Sequence, residues 1–391
     1  MSGPAAAPYQ LGPLEVVTGF VGGPAPGVAP LSPGANAGLT PRQALEAEVA
    51  RALARPPCAV TFSGGRDSSA VLALATAVAR RDGYSLPIPV TSRYEGAPES
   101  DETGWQEAVV SHLGLPDWEI VHHTDDLDLI GPIARPVLQR WGPLFPTTAY
   151  SIVPFTGTAA GGSLLTGLGG DQVLASGDIL RASRLLSFQQ RPRLGDWRII
   201  GAFFAPQALR TALDTRRLAG FSVPWLTEMG NEALRQALRA SWAPYPRRLG
   251  PMLLGPMWQD KHQQATVATM EALCADGDVR PFHPLQCAGF LSALAQHGPR
   301  AGYASRDHAM ADLFGDVLPP AVVTRHTKAL FNTAFFSQYS REFAADWDGS
   351  GLDTSLVDPE ALKEQWQAAA PDGRTFAALQ AAWLANMPKA G

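Results

Sequence analysis

Cysteine is scarce: Cys58, Cys274 and Cys287 are the only three in a chain of 391 residues. Their odd number, low density and lack of metal-ligand spacing exclude a disulfide framework, and point to reduced thiols in a cytoplasm. A basic surplus is missing too. The net charge of −5 gives no field for wrapping a polyanion, and no Lys/Arg patch stands out, which argues against a nucleic-acid partner. No apolar run approaches a membrane span. The first basic residue is Arg42, so the chain shows no positively charged region of the kind that opens a secretory signal. What is plentiful is apolar content, 46%, which at this length predicts an ordinary globular protein with room for two domains.

The chain is organised around Cys58 to Arg81, reading CAVTFSGGRDSSAVLALATAVARR. Cys58 to Phe62 run without a polar break, as in a parallel strand buried on both faces. Ser63, Gly64, Gly65, Arg66 and Asp67 follow, and Ser68 and Ser69 open an Ala/Leu/Val run of helical length that stops at Asp82-Gly83. Two glycines without Cβ let a phosphate approach the backbone N–H groups, and the helix N-terminus adds donors and a positive dipole end. The loop is built for an anion. It is neither Gly-x-x-x-x-Gly-Lys-Ser/Thr nor the dinucleotide Gly-x-Gly-x-x-Gly. Ser-Gly-Gly-x-Asp-Ser-Ser between a strand and a helix resembles the pyrophosphate loop of the ATP pyrophosphatases, which cleave ATP between its α- and β-phosphates. The bland alternative is a Gly/Ser turn that only joins strand to helix.

Residues 1–39, rich in Pro, Gly and Ala, read as an extended arm lying on the body. Thr40 caps a helix with Pro41 at its first position, Gln43 completing a capping box and Leu45, Val49 and Leu53 as its buried stripe. Leu86 to Tyr94 is a second strand whose two prolines suggest an edge or an early end. A helix through Trp105, Val109, Val110 and Leu113 leads to a third strand, Trp118 to His122. Ser163 to Thr166 reads as the last strand of the sheet. The alternation gives an α/β fold, a doubly wound parallel sheet over 40–177 with ligands at the carboxyl ends of its strands. Beyond Asp178 the spacing is helical over 178–190, 206–218, 228–240, 256–275, 286–297, 305–314 and 359–386, with no convincing strand. Residues 178–391 are therefore expected to form a mainly helical, substrate-side half.

A second loop, Gly167-Leu168-Gly169-Gly170-Asp171, follows the strand Ser163 to Thr166 directly. Asp171 and Asp67 are then expected to meet across one crevice, with Gly169 and Gly170 among the nucleotide-binding positions. Two carboxylates facing a triphosphate call for Mg²⁺ between them. His122, His123, Asp125, Asp126 and Asp128 form a tempting metal cluster, but adjacent strand residues point to opposite faces and acidic loops are normally solvated. His283 and Cys287 lack two further ligands for zinc. The ten tryptophans are dispersed and read as filling, not as a stacking platform.

The two loops with a helical half behind them resemble the synthetase domain of the asparagine synthetase family, which includes β-lactam synthetase and the macrolactam cyclases of lasso peptides. Asp101-Glu102, Arg280-Pro281-Phe282, and Leu318-Pro319 through Arg325, Lys328 and Phe331 extend the likeness over roughly 45–345, the last segment being similar to the cyclase branch. The resemblance implies an adenine nucleotide alpha hydrolase-like core. Ser63, Gly64, Gly65, Ser68 and Ser69 would hold the pyrophosphate of ATP, and Asp67 and Asp171 would bind Mg²⁺. Lys328, with Arg325 beside it, would stabilise charge at the α-phosphate and at the tetrahedral intermediate. Glutamine-using relatives begin with a cysteine and an amidotransferase domain, where this sequence has Ser2 and the short arm. Leu168 and Gln172 replace the Glu or Tyr and the Glu of the family's second loop, and Pro-Phe-His-Pro at His283-Pro284 replaces Pro-Phe-Leu-Asp, marking a divergent acceptor corner. The expectation is a cytoplasmic, AMP-forming ligase that joins a carboxylate on a peptide or metabolite to an amine, with a possible partner protein delivering the substrate. An RNA-modifying enzyme with the same loop, or a non-catalytic nucleotide-binding subunit, are the other readings.

Overall fold

The computed structural model describes residues 7–32, 34, 38–174, 178–186, 191–206, 209, 216, 218, 220–241, 246, 248–327, 329 and 331–387. β1, Cys58–Thr61, is the middle strand of a five-stranded, all-parallel sheet of order β3-β2-β1-β4-β5. Its apolar residues are buried on both faces because helices cover both sides, as parallel sheets require. β2 (Ile88–Tyr94) pairs with it at Thr61↔Val90, and β4 (Ser163–Leu165) at Ala59↔Leu164. β3 (Glu119–His123) and β5 (Arg280–Phe282) are the two edges.

Two strand expectations need correction. β2 is interior despite Pro89. Val90 O accepts from Phe62 N at 2.8 Å, so Pro89 turns its backbone toward β3, whose pairing begins only at Val90↔Glu119. β4 is not the last strand. Arg280–Phe282 lies beside it in parallel, with Thr166 N donating to Phe282 O at 3.0 Å, and Pro281 is tolerated because this strand is an edge. The sheet is thus completed by a segment from the helical half.

The helix α1, Pro13–Thr18, sits within the N-terminal arm, held by Lys261 Nζ on Glu15 at 2.6 Å and by Trp225 Nε1 donating to Val17 O at 2.8 Å. α2, Pro41–Leu53, starts at the capping box: Gln43 N donates to Thr40 Oγ1 at 3.2 Å and Thr40 N to Gln43 Oε1 at 2.9 Å. α3, Arg66–Asp82, is buried along most of its length and ends at Gly83 in the left-handed region, φ +78°. α4, Thr103–Leu113, precedes β3. Farther on, helices include Asp178–Leu186, Glu228–Ser241, Lys261–Asp276, Ala288–His297 and Arg306–Phe314. The single run expected over 359–386 is two helices, Pro359–Gln367 and Phe376–Ala385, split where Pro371-Asp372-Gly373 interrupts. Most of 206–218 lies outside the described residues.

One apolar core joins α2, α3 and β1 to Phe290, Leu294, Met310 and Phe314 of the helical half. A second gathers Val17, Tyr150, Trp225, Phe336, Trp347 and Trp366. Among the described residues no helix is long and apolar enough to cross a membrane.

Candidate active site

A cavity of about 630 Å³ opens at the carboxyl ends of the strands, within the range of small-molecule sites. Its floor is the loop between β1 and α3. Ser63, Gly65, Asp67 and Ser68 line it. The loop is cross-linked internally: Ser68 Oγ donates to Gly65 O at 3.1 Å, Ser63 N donates to Ser68 Oγ at 3.3 Å, and Gly65 N donates to Ser63 Oγ at 3.3 Å. Gly64 takes φ +82°, a conformation that a side chain would strain, and its carbonyl accepts from Arg325 Nη1 at 2.7 Å. Ser69 does not line the cavity. Its side chain is fully buried behind the loop and its hydroxyl has no hydrogen-bond partner.

The second loop reaches the same cavity through Thr166, Gly167, Leu168 and Asp171. Gly169 and Gly170 face elsewhere. A Cβ on Gly170 would fall inside the Asp67 carboxyl group, and one on Gly169 would lie 2.8 Å from Gln286 Cβ. Glycine is needed here because the two loops touch backbone to side chain. Behind the loop, Thr166 Oγ1 and His283 Nδ1 are 2.7 Å apart, and Leu168 N donates to the same hydroxyl at 3.3 Å. Burial pushes the His283 imidazole down to about 4, so it is neutral. The corner expected to meet an acceptor thus braces the second loop from behind, and His283 lines a separate hollow instead.

Asp67 and Asp171 do converge, and what they converge on is Arg306. Its Nη2 donates to Asp67 Oδ1 at 2.6 Å and Oδ2 at 2.7 Å, and its Nη1 to Asp171 Oδ1. Burial raises the Asp67 carboxyl above its ordinary range, against the opposing pull of the Arg306 guanidinium. The neighbouring pair is crossed: Arg66 Nη1 reaches Asp307 at 2.6 Å, so two Arg-Asp dipeptides exchange partners. Sequence reading missed Arg306, which stands 239 positions from Asp67; its one local sign is the capping Ser305, whose Oγ accepts from His308 N at 3.1 Å.

Arg325 is buried. It donates to Gly64 O at 2.7 Å, pairs with Glu102 and lies 4.7 Å over the Trp105 ring. Glu102 also accepts from Ala329 N at 3.1 Å. Arg325 therefore clamps the C-terminal segment to the first glycine loop while showing one face to the cavity. Lys328 lies outside the described residues.

The acidic cluster after β3 departs from the solvated reading. The two histidines do face opposite ways, His122 exposed and His123 fully buried, but Asp128 is buried and accepts from Ile130 N, Ser337 N and Ser340 N. It binds the β3 loop to the C-terminal helices. No group of three or more His, Cys, Asp or Glu able to hold a metal occurs among the described residues. Asp67 and Asp171 alone still suit Mg²⁺, which binds through one or two carboxylates with substrate phosphates supplying the rest, and one cation already spans both. Burial lifts the thiols of Cys58 and Cys287 to about 11 and of Cys274 to about 12, too high for nucleophiles near neutral pH.

No curated protein matches the sequence. The model of the asparagine synthase family matches residues 40–280, which hold both glycine loops and stop short of Arg306, Arg325 and Lys328. That match spans more than half of the chain. With the parallel sheet and the two convergent loops, it places the protein in the asparagine synthase family, ATP-dependent ligases that form amides.

Proposed function

We propose that the protein activates a carboxylate as its acyl-adenylate and passes the acyl group to an amine carried on a carbon skeleton. The reading rests on the convergence of Asp67 and Asp171, from two loops, on one cation at the floor of a strand-end cavity. In the first step a carboxylate oxygen attacks the α-phosphorus of ATP and pyrophosphate leaves with the bonding electrons. In the second the amine nitrogen attacks the acyl carbon, the bond to the AMP oxygen breaks and one proton is released.

Ser63, Gly65 and Ser68 would turn the hydroxyl and backbone donors that now cross-link the loop to the pyrophosphate, joined by the N-terminus of α3. Asp67 and Asp171 would hold Mg²⁺, which neutralises phosphate charge; Arg306 must then give up at least part of its hold on them. Lys328 belongs at the developing charge, by its likeness to the family lysine. The far end of the cavity, with Tyr94, Phe331 and Phe335, suits a bulky organic partner better than ammonia. A peptide or specialised metabolite as substrate, and a macrolactam as product when acid and amine share one chain, follow from that apolar end and from the effective concentration of a tethered amine.

The test is exchange of labelled pyrophosphate into ATP by the full chain with Mg²⁺. It is run with a panel of the twenty amino acids, N-acetyl-Asp, N-acetyl-Glu and short peptides bearing Asp or Glu. Exchange dependent on one acid class is expected; ADP formation in place of AMP, or no exchange with any acid, would reject the reading.

A further inference from the structure

The cavity holds a serine that neither loop supplies. Ser92, on β2 two residues beyond the Thr61↔Val90 pair, lines the same space as Ser63. Its Oγ is 3.1 Å from His123 Nε2, and His123 Nδ1 is 2.7 Å from Asp126 Oδ2. His123 is fully buried, and Tyr94 packs over its ring at 5.8 Å between centroids. Asp126 is fixed by Thr124 N donating to its Oδ1 at 3.1 Å, and it reaches solvent with 36% of its side chain exposed.

A carboxylate only accepts hydrogen bonds, so Asp126 takes the proton on Nδ1, and Nε2 is left to accept from the Ser92 hydroxyl. Nucleophile-type hydroxyl, imidazole and orienting carboxylate are thus in line from the cavity to the surface. We infer that Ser92, His123 and Asp126 form the proton relay that deprotonates the attacking amine. This rests on the ligase reading above and adds the base that the second half-reaction needs.

The competing acceptors on the cavity wall are committed. Asp67 and Asp171 hold Arg306, Glu102 holds Arg325, and burial pushes the Tyr94 phenol up to about 12. Leu168 and Gln172, on and beside the second loop, have no basic atom. His326 lines the rim, but 77% of its side chain is exposed, and its Nε2 is 3.5 Å from the nearest Asp307 oxygen, too loose to orient it.

As the C–N bond forms, the nitrogen's proton passes to Ser92 Oγ and the serine's own proton to His123 Nε2. AMP leaves with the electrons of the broken C–O bond, and the imidazolium, stabilised by Asp126, returns its proton to solvent. Ser92 is the catalytic residue of the three, while His123 and Asp126 act through it.

Three readouts separate this from a structural role: pyrophosphate exchange, amide formation with glycinamide, and hydroxamate formation with hydroxylamine, an α-effect nucleophile whose attack leans far less on a base to take its proton. Each is measured with the panel acid that exchanges fastest. In Ser92→Ala and His123→Gln, amide formation should fall about 10²-fold, while exchange and hydroxamate formation fall less than about threefold. Asp126→Asn, which disturbs the imidazole tautomer, should give the same split with full-length folded protein, and decides the matter if His123→Gln does not fold. Parallel loss of exchange would mean that Ser92 serves the nucleotide, and would overturn the relay. So would retained amide formation, or the same split in His326→Ala alone. A wild-type chain that exchanges with no acid defeats the ligase reading first, and the relay with it.

Discussion

The two glycine loops look alike on paper and do opposite things with their glycines. In the first, Gly65 is open to the cavity, where an added Cβ would meet only Ser63 Oγ, at 3.3 Å. In the second, Gly170 is pressed on Asp67, and a Cβ on Gly167 would lie 2.7 Å from Ser68 N. The first loop leaves open space in the cavity; the second leaves room for the first. Glycine in a motif therefore marks a close approach, and only the fold says whether the guest is a ligand or the protein's own backbone.

Their aspartates give the sharpest way to break this contrast. Asp67→Asn and Asp171→Asn are each expected to lower AMP formation by about 10³-fold, or about 4 kcal/mol, because both remove a hard anionic ligand at one cation site. Asp67→Asn should also cost about 1–2 kcal/mol of folding stability, being the more buried carboxylate with two bonds to Arg306. Kinetics and urea melts of the purified variants check both halves. Full activity in either would remove the shared-cation assignment.

Protonation distinguishes the loops next. The buried His283 that braces the second loop has its pKa lowered from 6.5 to about 4. A depressed imidazole pKa favours the neutral form in the fold, so its contribution is complete above about pH 6.5 and is lost as the pH falls toward 4. That loss amounts to about 3 kcal/mol. Between pH 7 and 4 the wild type should lose more unfolding free energy than His283→Gln, by about 3 kcal/mol. Equal losses would detach the second loop from a neutral imidazole.

The smallest effect tests the glycines themselves. Gly170→Ala should destabilise the fold by about 2 kcal/mol and displace Asp67, whereas Gly65→Ala should cost less than about 1 kcal/mol and instead weaken ATP binding. Thermal melts with and without Mg·ATP read the two outcomes; matching stability losses would dissolve the distinction.

Much of this was legible beforehand, for physical reasons. A buried strand, a glycine loop and an apolar helix are consecutive in Cys58–Asp82, so local pattern carries them, and the Thr40–Gln43 box sets its own helix start. The crevice between Asp67 and Asp171 followed from strand-end geometry. Arg306 was not legible, because no local periodicity ties a helix N-terminus to carboxylates from two other loops. Nor was β5: three residues including a proline are too short for any period, and their strand state comes from pairing with β4. Asp128 was misjudged because an acidic run suggests water, while Ser337 and Ser340, more than 200 positions away, bury and bond it.

The crossed Arg-Asp dipeptides have an electrical consequence. Arg66, Asp67, Arg306 and Asp307 cancel, and Asp171 leaves the set with one net negative charge. A bare triphosphate approaching this mouth meets mild repulsion where a phosphate trap would offer attraction, so capture gains nothing from long-range steering by these five groups. On the function proposed above, the nucleotide that suits this mouth would arrive with its own divalent counter-ion, and the arginines released by that ion would be free to turn toward the phosphates. The mouth would then screen nucleotides by the charge they travel with, before any contact with the base is made.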